Sequence, residues 1–286
     1  MKYAVIDIGS NSVRLLINSD GASIFKEVKI TKLAKDAFNG YLNGESIRRT
    51  VDAVELFALK AKECCVDNIF CFATAAIRNA KNKQDIIDEI FLRCGVDVDV
   101  ISGEKEAMIG ALGALSGLDG GVVDVGGASS EVCFLKQGEI VYSHSIPIGA
   151  VFLTDLFGQN FKESREYVTK KVSEYKKIDC NGLYAIGGTA TTISAIEQGL
   201  EPYDRNKVHG YKIKRQNLNE ITNKLFALSV DERRSLKGLQ SERADVIAQG
   251  SLILTCIMEH FNVDCLTVSE NDNLEGYLIE RISHNE

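Results

Sequence analysis

The chain has 286 residues, 45% hydrophobic and 26% charged, a balance typical of a folded globular protein rather than a disordered one. Its 33 basic and 40 acidic residues give a net charge of −7, which argues against a general DNA- or RNA-binding protein, because such proteins present a basic surface. No apolar run approaches the ~20 residues that span a bilayer, and the N-terminal apolar stretch is interrupted at Asp7. We therefore expect a cytoplasmic protein with no membrane segment.

The first 115 residues predict three strands followed by alternating helices and strands. The dipeptide Asp20-Gly21 favours a tight hairpin between the second and third strands. Ser46 is a candidate N-cap, because apolar residues at helical spacing follow it, and Gly95 is placed to end a later helix. In chain order the predicted elements are strands 2–7, 12–18 and 23–30, a helix from 46, strand 69–73, a helix at 86–91, strand 96–101 and helix 104–115.

The order of elements then starts again, with extra helices in the second half. The predicted elements are strands 121–126, 130–135 and 139–146, helix 161–175, strand 183–186, helix 189–198, strand 208–213, a helical region to about 261, strand 265–268 and helix 274–282. A short repeat supports a duplication, since VIDIGSNSVRLLI from Val5 superposes on VVDVGGASSEVCF from Val122. This superposition places Asp7 on Asp124.

Each copy of the repeat reads as a strand ending in an aspartate, a glycine-containing turn and a second strand. The glycines let backbone N–H groups approach an anion, and the carboxylate can bind a hydrated Mg²⁺, which needs only one or two such ligands. Two such turns facing each other across a cleft would enclose a phosphate chain. Two ordinary hairpins are the alternative, and the repeat favours the phosphate site.

Three further features are weaker signals. The segment AIGGTAT from Ala185 places Gly187, Gly188 and Thr189 between a strand and a helix, either as an anion site or as a plain loop. Arg78 follows a strand end, where it could bind phosphate, although a surface arginine is the commoner case. Spacing alone favours a solvated carboxylate for Glu106 on its helix.

Taken together, these segments resemble the exopolyphosphatase/guanosine pentaphosphate phosphohydrolase family of the actin-like superfamily, which also includes sugar kinases and heat-shock chaperones. The resemblance covers nearly the whole chain. It rests on VIDIGSNSVRLLI, ATAAIRNA, ISGEKEA, VVDVGGASSE, SIPIGA, AIGGTAT, VHGY and ERADVIAQG.

The resemblance implies an α/β fold of two RNase H-like (actin-like ATPase) domains, each with a mixed five-stranded sheet flanked by helices, with a cleft between them. The implied domains are 1–117 and 118–272, and the C-terminal helix, 273–286, is a candidate addition to the first. Longer relatives continue into a further helical domain, so this chain is similar to a short form.

The resemblance also assigns roles to individual residues. It makes Glu106 the base that activates water, Arg78 a phosphate ligand, and Glu131 a catalytic carboxylate that also binds metal together with Asp124 and Asp7. The metal is expected to be Mg²⁺ or Mn²⁺. The implied phosphate-binding residues are Ser10, Asn11, Ser12, Gly126, Gly127, Ala128, Ser129, Gly187, Gly188 and Thr189.

The expected activity is metal-dependent hydrolysis of a terminal phosphoanhydride, which releases orthophosphate from polyphosphate or guanosine pentaphosphate. A homodimer is left open. Two departures from the family pattern stand out, namely Ala128 in the second loop and Leu274 where an arginine is usual. They leave two alternatives, a non-catalytic sensor of the guanosine alarmone and an ATP-dependent kinase of the same superfamily.

Overall fold

The computed structural model describes residues 1–35, 37, 39–179 and 182–283. Its first half forms an N-terminal lobe around one sheet. The elements are β1 (Lys2–Ile8), β2 (Ser12–Ser19), β3 (Ala22–Ile30), α1 (Gly44–Glu63), β4 (Asn68–Ala73), α2 (Ala75–Arg78), α3 (Lys83–Cys94), β5 (Val98–Val100) and α4 (Gly103–Leu115).

The second half forms a C-terminal lobe around a second sheet. Its elements are β6 (Gly120–Val125), β7 (Ser130–Lys136), β8 (Glu139–Ile146), α5 (Ala150–Phe157), α6 (Phe161–Val172), β9 (Leu183–Ile186), α7 (Gly187–Gln198), α8 (Arg205–Val208), β10 (Lys212–Lys214), α9 (Arg215–Ala227), α10 (Val230–Arg234), α11 (Ile247–His260), β11 (Cys265–Val268) and α12 (Asn273–Ser283). Within the described residues, no helix combines the length and apolar composition of a membrane span.

The two sheets share one topology at their centres. The first has the order β3-β2-β1-β4-β5 and the second β10-β11-β9-β6-β7-β8, with antiparallel hairpins on one side and parallel strands on the other. Both hairpin turns are closed by the same 3.0 Å backbone hydrogen bond, from Gly9 to Ser12 in the first and from Gly126 to Ser129 in the second. The sequence repeat is therefore a structural repeat, and the predicted duplication is confirmed.

Three sequence predictions are wrong in detail. The second sheet has six strands rather than five, because β10 adds a short antiparallel edge beside β11. The predicted strand 208–213 is shorter, because β10 covers only Lys212–Lys214. Val208 is instead the last residue of α8, a short helix that begins where the side chain of Asp204 caps the backbone N–H of Asn206. The N-cap of α1 is Asn43 and not Ser46, whose hydroxyl donates to the Asn43 carbonyl oxygen at 2.8 Å.

The last helix, α12, leaves the C-terminal lobe and packs on α4 and on the sheet of the N-terminal lobe. Tyr277 stacks on Phe72 of β4 with ring centroids 4.5 Å apart. Gly276 and Gly113 lie where the two helices cross, and a Cβ atom at either would overlap the backbone of the other helix. The chain thus returns to its first lobe at the edge of the cleft. The domain boundaries at 117 and 272 stay a prediction, and residues 284–286 of the predicted helix lie outside the described residues.

Candidate active site

A cleft of about 510 Å³ runs between the two hairpin turns and is lined from both lobes. Asp7 and Asp124, at the ends of β1 and β6, both contribute to its walls. All of the predicted phosphate-binding residues line it except Ala128, which lines a separate pocket of about 200 Å³ behind the second turn. The fold therefore brings together the three glycine-containing segments that the sequence singled out.

The third segment supplies a helix N-terminus to the cleft. Helix α7 begins at Gly187, and its first N–H groups have no acceptor within the helix, as at any helix N-terminus. Among the described residues, no side chain caps these groups either. Thr189 fixes the segment by donating its hydroxyl to the Val125 carbonyl oxygen at 2.8 Å. Uncapped N–H groups and the positive end of the helix dipole favour an anion at this position.

Glu106 lies in the first turn of α4 and is buried, so the interpretation as a solvated carboxylate is wrong for this residue. Its Oε2 accepts a hydrogen bond from Arg78 Nη1 at 2.9 Å, and the same guanidinium nitrogen donates to the Ile101 carbonyl oxygen at 3.0 Å. Burial raises the pKa of Glu106 to about 7, against the opposing charge of Arg78. A carboxylate with this pKa can accept a proton near neutral pH. Glu104, in the same helical turn, is exposed.

Glu131 is buried beside the cleft on β7 and does not line it. The hydroxyl of Ser145 donates to Glu131 Oε1 at 2.7 Å, while Glu131 Oε2 is buried and accepts no hydrogen bond from any residue that the structure describes. Burial, followed by the negative charges of Glu106 and Asp124, raises its pKa well above the usual value.

Asp7 is paired with an arginine that sequence reasoning missed. Arg14 lies opposite Asp7 in the β1–β2 pairing and donates from Nε to Asp7 Oδ2 at 2.7 Å. Its Nη1 donates to Asp272 Oδ2, just before α12, at 2.5 Å. Burial opposes ionisation of Asp272, but the charges of Arg14 and Lys26 outweigh it and hold its pKa below the usual value. One guanidinium thus joins two carboxylates that are far apart in the sequence.

Asp124 accepts a hydrogen bond from the side-chain amide of Asn273, the first residue of α12, at 3.0 Å. Burial raises the pKa of Asp124 to about 7, and the nearby charge of Arg14 opposes this rise. Arg243 was also missed, and it lies against Gly188 at the start of α7. Arg14 alone had a usable signal, since it is the single charged residue in an otherwise apolar strand segment.

The carboxylates fit a divalent cation in part. Asp7 Oδ1 and Glu131 Oε2 are buried oxygens with no hydrogen-bond partner in the described part of the chain, and oxygen is the ligand atom that Mg²⁺ prefers. In the part of the chain that the structure describes, no three His, Cys, Asp or Glu side chains form a metal-binding group. Asp7 and Asp124 would be sufficient to hold Mg²⁺, because this ion usually keeps several water ligands. The assignment of all three carboxylates as ligands stays a prediction.

The fold and cleft define a two-lobed α/β protein in which glycine-containing turns and carboxylates from both lobes line one cleft. The profile of the Ppx/GppA phosphatase family matches residues 17–284. The chain belongs to this family, which confirms the predicted family and the predicted class of fold.

The similarity to curated proteins covers nearly the whole chain. A protein of Mycobacterium tuberculosis named exopolyphosphatase 2 is 30% identical over 96% of this chain and 97% of its own length. A bifunctional 3-dehydroquinate synthase/phosphatase of Fusobacterium nucleatum is 32% identical over 98% of this chain. A guanosine-5'-triphosphate,3'-diphosphate pyrophosphatase of Aeromonas salmonicida is 26% identical over 99%. This chain spans 46% of the Fusobacterium protein and 60% of the Aeromonas protein.

A solved structure agrees with the same assignment. The crystal structure of the Aquifex aeolicus member of the Ppx/GppA family superposes with a TM-score of 0.83 at 31% identity, and the match covers 100% of this chain and 99% of the other.

Proposed function

We propose that this protein hydrolyses the terminal phosphoanhydride bond of inorganic polyphosphate or guanosine pentaphosphate and releases orthophosphate, with a divalent cation as cofactor. The observation that carries the proposal is Glu106, a buried carboxylate with a pKa of about 7, at a cleft bordered by three glycine-containing turns. Relatives named exopolyphosphatase and guanosine-5'-triphosphate,3'-diphosphate pyrophosphatase support both substrates. The full-length match to the Mycobacterium protein favours polyphosphate.

The residues divide the chemistry between the lobes. The backbone N–H groups of the two hairpin turns and of the α7 N-terminus hold the end of the phosphate chain. Glu106 orients a water in line with the terminal phosphorus and accepts its proton. Arg78, which is paired with Glu106, would stabilise negative charge on the phosphoryl oxygens. A bound Mg²⁺ would supply neutralisation of phosphate charge, held by Asp7 and Asp124.

The test is phosphate release from polyphosphate, guanosine pentaphosphate and ATP in the presence of Mg²⁺ or Mn²⁺. Glu106→Gln keeps the shape of the side chain and removes the base, and we expect a loss of about 10²–10⁴-fold in turnover. Glu104→Gln is the matched control, because this carboxylate is exposed in the same turn of α4 and should leave turnover unchanged.

Four results would contradict the proposal. Equal turnover in the Glu106→Gln variant removes this residue from the mechanism. Binding of guanosine pentaphosphate without phosphate release identifies a sensor, and transfer of phosphate from ATP to an acceptor identifies a kinase. Full activity after chelation of divalent cations contradicts the cofactor.

A further inference from the structure

Asn273 connects the last helix to an aspartate in the opposite lobe. It is the first residue of α12, it is buried, and its side-chain amide donates to Asp124 Oδ2 at 3.0 Å. The two residues are 149 positions apart in the sequence. The bond forms only because α12 crosses back to the N-terminal lobe and begins beside the end of β6.

The Asp124 carboxylate is held at both of its oxygens. Oδ2 accepts the amide of Asn273, and Oδ1 packs against the backbone of Gly187, where an added Cβ would overlap it. Gly187 also has a φ of +77°, which other residues rarely adopt. These two contacts leave the carboxylate little freedom to rotate.

Asn273 is itself fixed by close packing. A Cβ at Gly110 of α4 would lie 2.7 Å from Asn273 Oδ1, so only a glycine lets the two helices approach this closely. Gly276, one turn further along α12, lies against the α4 backbone, and this approach is possible only because Gly276 has no Cβ. This packing restricts the Asn273 side chain, and its amide points toward Asp124.

The carbonyl oxygen of the Asn273 side chain indicates that the N–H group is the useful part of this amide. Asn273 Oδ1 is buried and has no hydrogen-bond partner among the described residues, and such an oxygen costs about 1–3 kcal/mol. A leucine has the same number of side-chain heavy atoms and no carbonyl, so it would avoid this cost. A residue present only to fill space would not need an unsatisfied carbonyl, so the N–H donor is the useful group.

We propose that Asn273 is a positioning residue that fixes the orientation of the Asp124 carboxylate toward the cleft. The inference on orientation stands on the contacts of this chain. Its consequence for turnover rests on the proposed function, in which Asp124 faces the phosphate-bound cation.

The test compares wild type with Asn273→Leu, which keeps the number and branching of the side-chain heavy atoms and removes the donor. Asn271→Leu, two residues earlier in the same loop, is the matched control, because Asn271 does not line the cleft. A crystal structure of Asn273→Leu should show Asp124 in a different rotamer. Partners that orient metal ligands typically contribute 10–100-fold, so we expect Mn²⁺ affinity, followed by electron paramagnetic resonance, and kcat to fall by about that factor. The Asn271→Leu variant should match wild type in each measurement.

Thermal unfolding separates positioning from a general structural role. The Tm of Asn273→Leu should change little, because the removal of an unsatisfied carbonyl offsets the loss of the donor to Asp124 Oδ2, while kcat and Mn²⁺ affinity fall. An unmoved Asp124 in the crystal structure, or a loss of kcat matched by an equal loss of stability, overturns the inference. Absence of phosphate release by the wild type counts against the proposed function alone, because the rotamer of Asp124 still decides the role of Asn273.

Discussion

Replacing Arg78 by methionine removes the charge beside Glu106 while keeping most of the side-chain length. Arg78 Nη1 lies 2.9 Å from Glu106 Oε2, and the Arg78 side chain is 21% exposed. Two opposite charges about 4 Å apart interact by about 4 kcal/mol at an effective dielectric constant of about 20, and solvent at the cleft reduces this. We take about 1.5–2 kcal/mol as the part that is lost, which corresponds to a little over one pH unit.

The assay is kcat/KM for phosphate release as a function of pH. The kcat/KM of the wild type should decrease below about pH 7, because burial raises the pKa of Glu106 to about 7 and a base must be deprotonated to act. In Arg78→Met the pKa of Glu106 rises further, so the acid limb of the profile, where kcat/KM decreases, should move to higher pH by about one unit or more. Arg78→Lys keeps the charge and should move the limb less, and Arg48→Met on the exposed face of α1 should not move it.

The position of the limb is the deciding result, because Arg78 would also stabilise phosphate in the proposed mechanism and its loss would lower the overall rate. An Arg78→Met profile that is lower at every pH but has its acid limb at the wild-type position would refute the reasoning. Arg78 would then bind phosphate without controlling the ionisation of Glu106.

Two predictions concern stability, each measured as the free energy of unfolding in urea. Gly276→Ala should lower the free energy of unfolding by about 2 kcal/mol or more, because the new Cβ would overlap the carbonyl oxygen of Ile109. The control Gly44→Ala places its Cβ in open space and should change the free energy of unfolding by less than about 0.5 kcal/mol. Equal values in the two variants would contradict the helix crossing. Arg233→Ala should cost about 3 kcal/mol, because the buried guanidinium donates to two main-chain carbonyl oxygens and a glutamine side chain that would all lose a donor. The exposed neighbour in Arg234→Ala should have little effect, and similar losses in the two variants would argue against the buried role of Arg233.

Local sequence patterns predicted the parts of the site that are built locally. An aspartate followed by a glycine-containing turn is read from fewer than ten residues, and the repeat of this pattern placed Asp7 and Asp124 in equivalent positions that the structure confirms. The hairpin at Asp20-Gly21 formed as predicted, because both residues adopt the positive φ that this turn requires.

The rest of the site depends on how distant segments pack. Spacing on α4 indicated a solvated Glu106, and the residue is buried because α4 lies between the two lobes. Asp272 and Asn273 had no local signal, since their partners Arg14 and Asp124 belong to strands more than 140 positions earlier. The charge of Arg14 in an apolar strand was the one clue to a buried ion pair, and it did not identify the partner.

Hydrolysis in water enriched in ¹⁸O tests most directly whether the cleft directs a water at the terminal phosphorus. Each orthophosphate released from polyphosphate should carry one ¹⁸O atom, measured by mass spectrometry, and the shortened chain should carry none from the same cleavage. Orthophosphate without ¹⁸O would show that the new bond to oxygen forms elsewhere, either at the next phosphorus or on another acceptor, and would contradict the role given to Glu106.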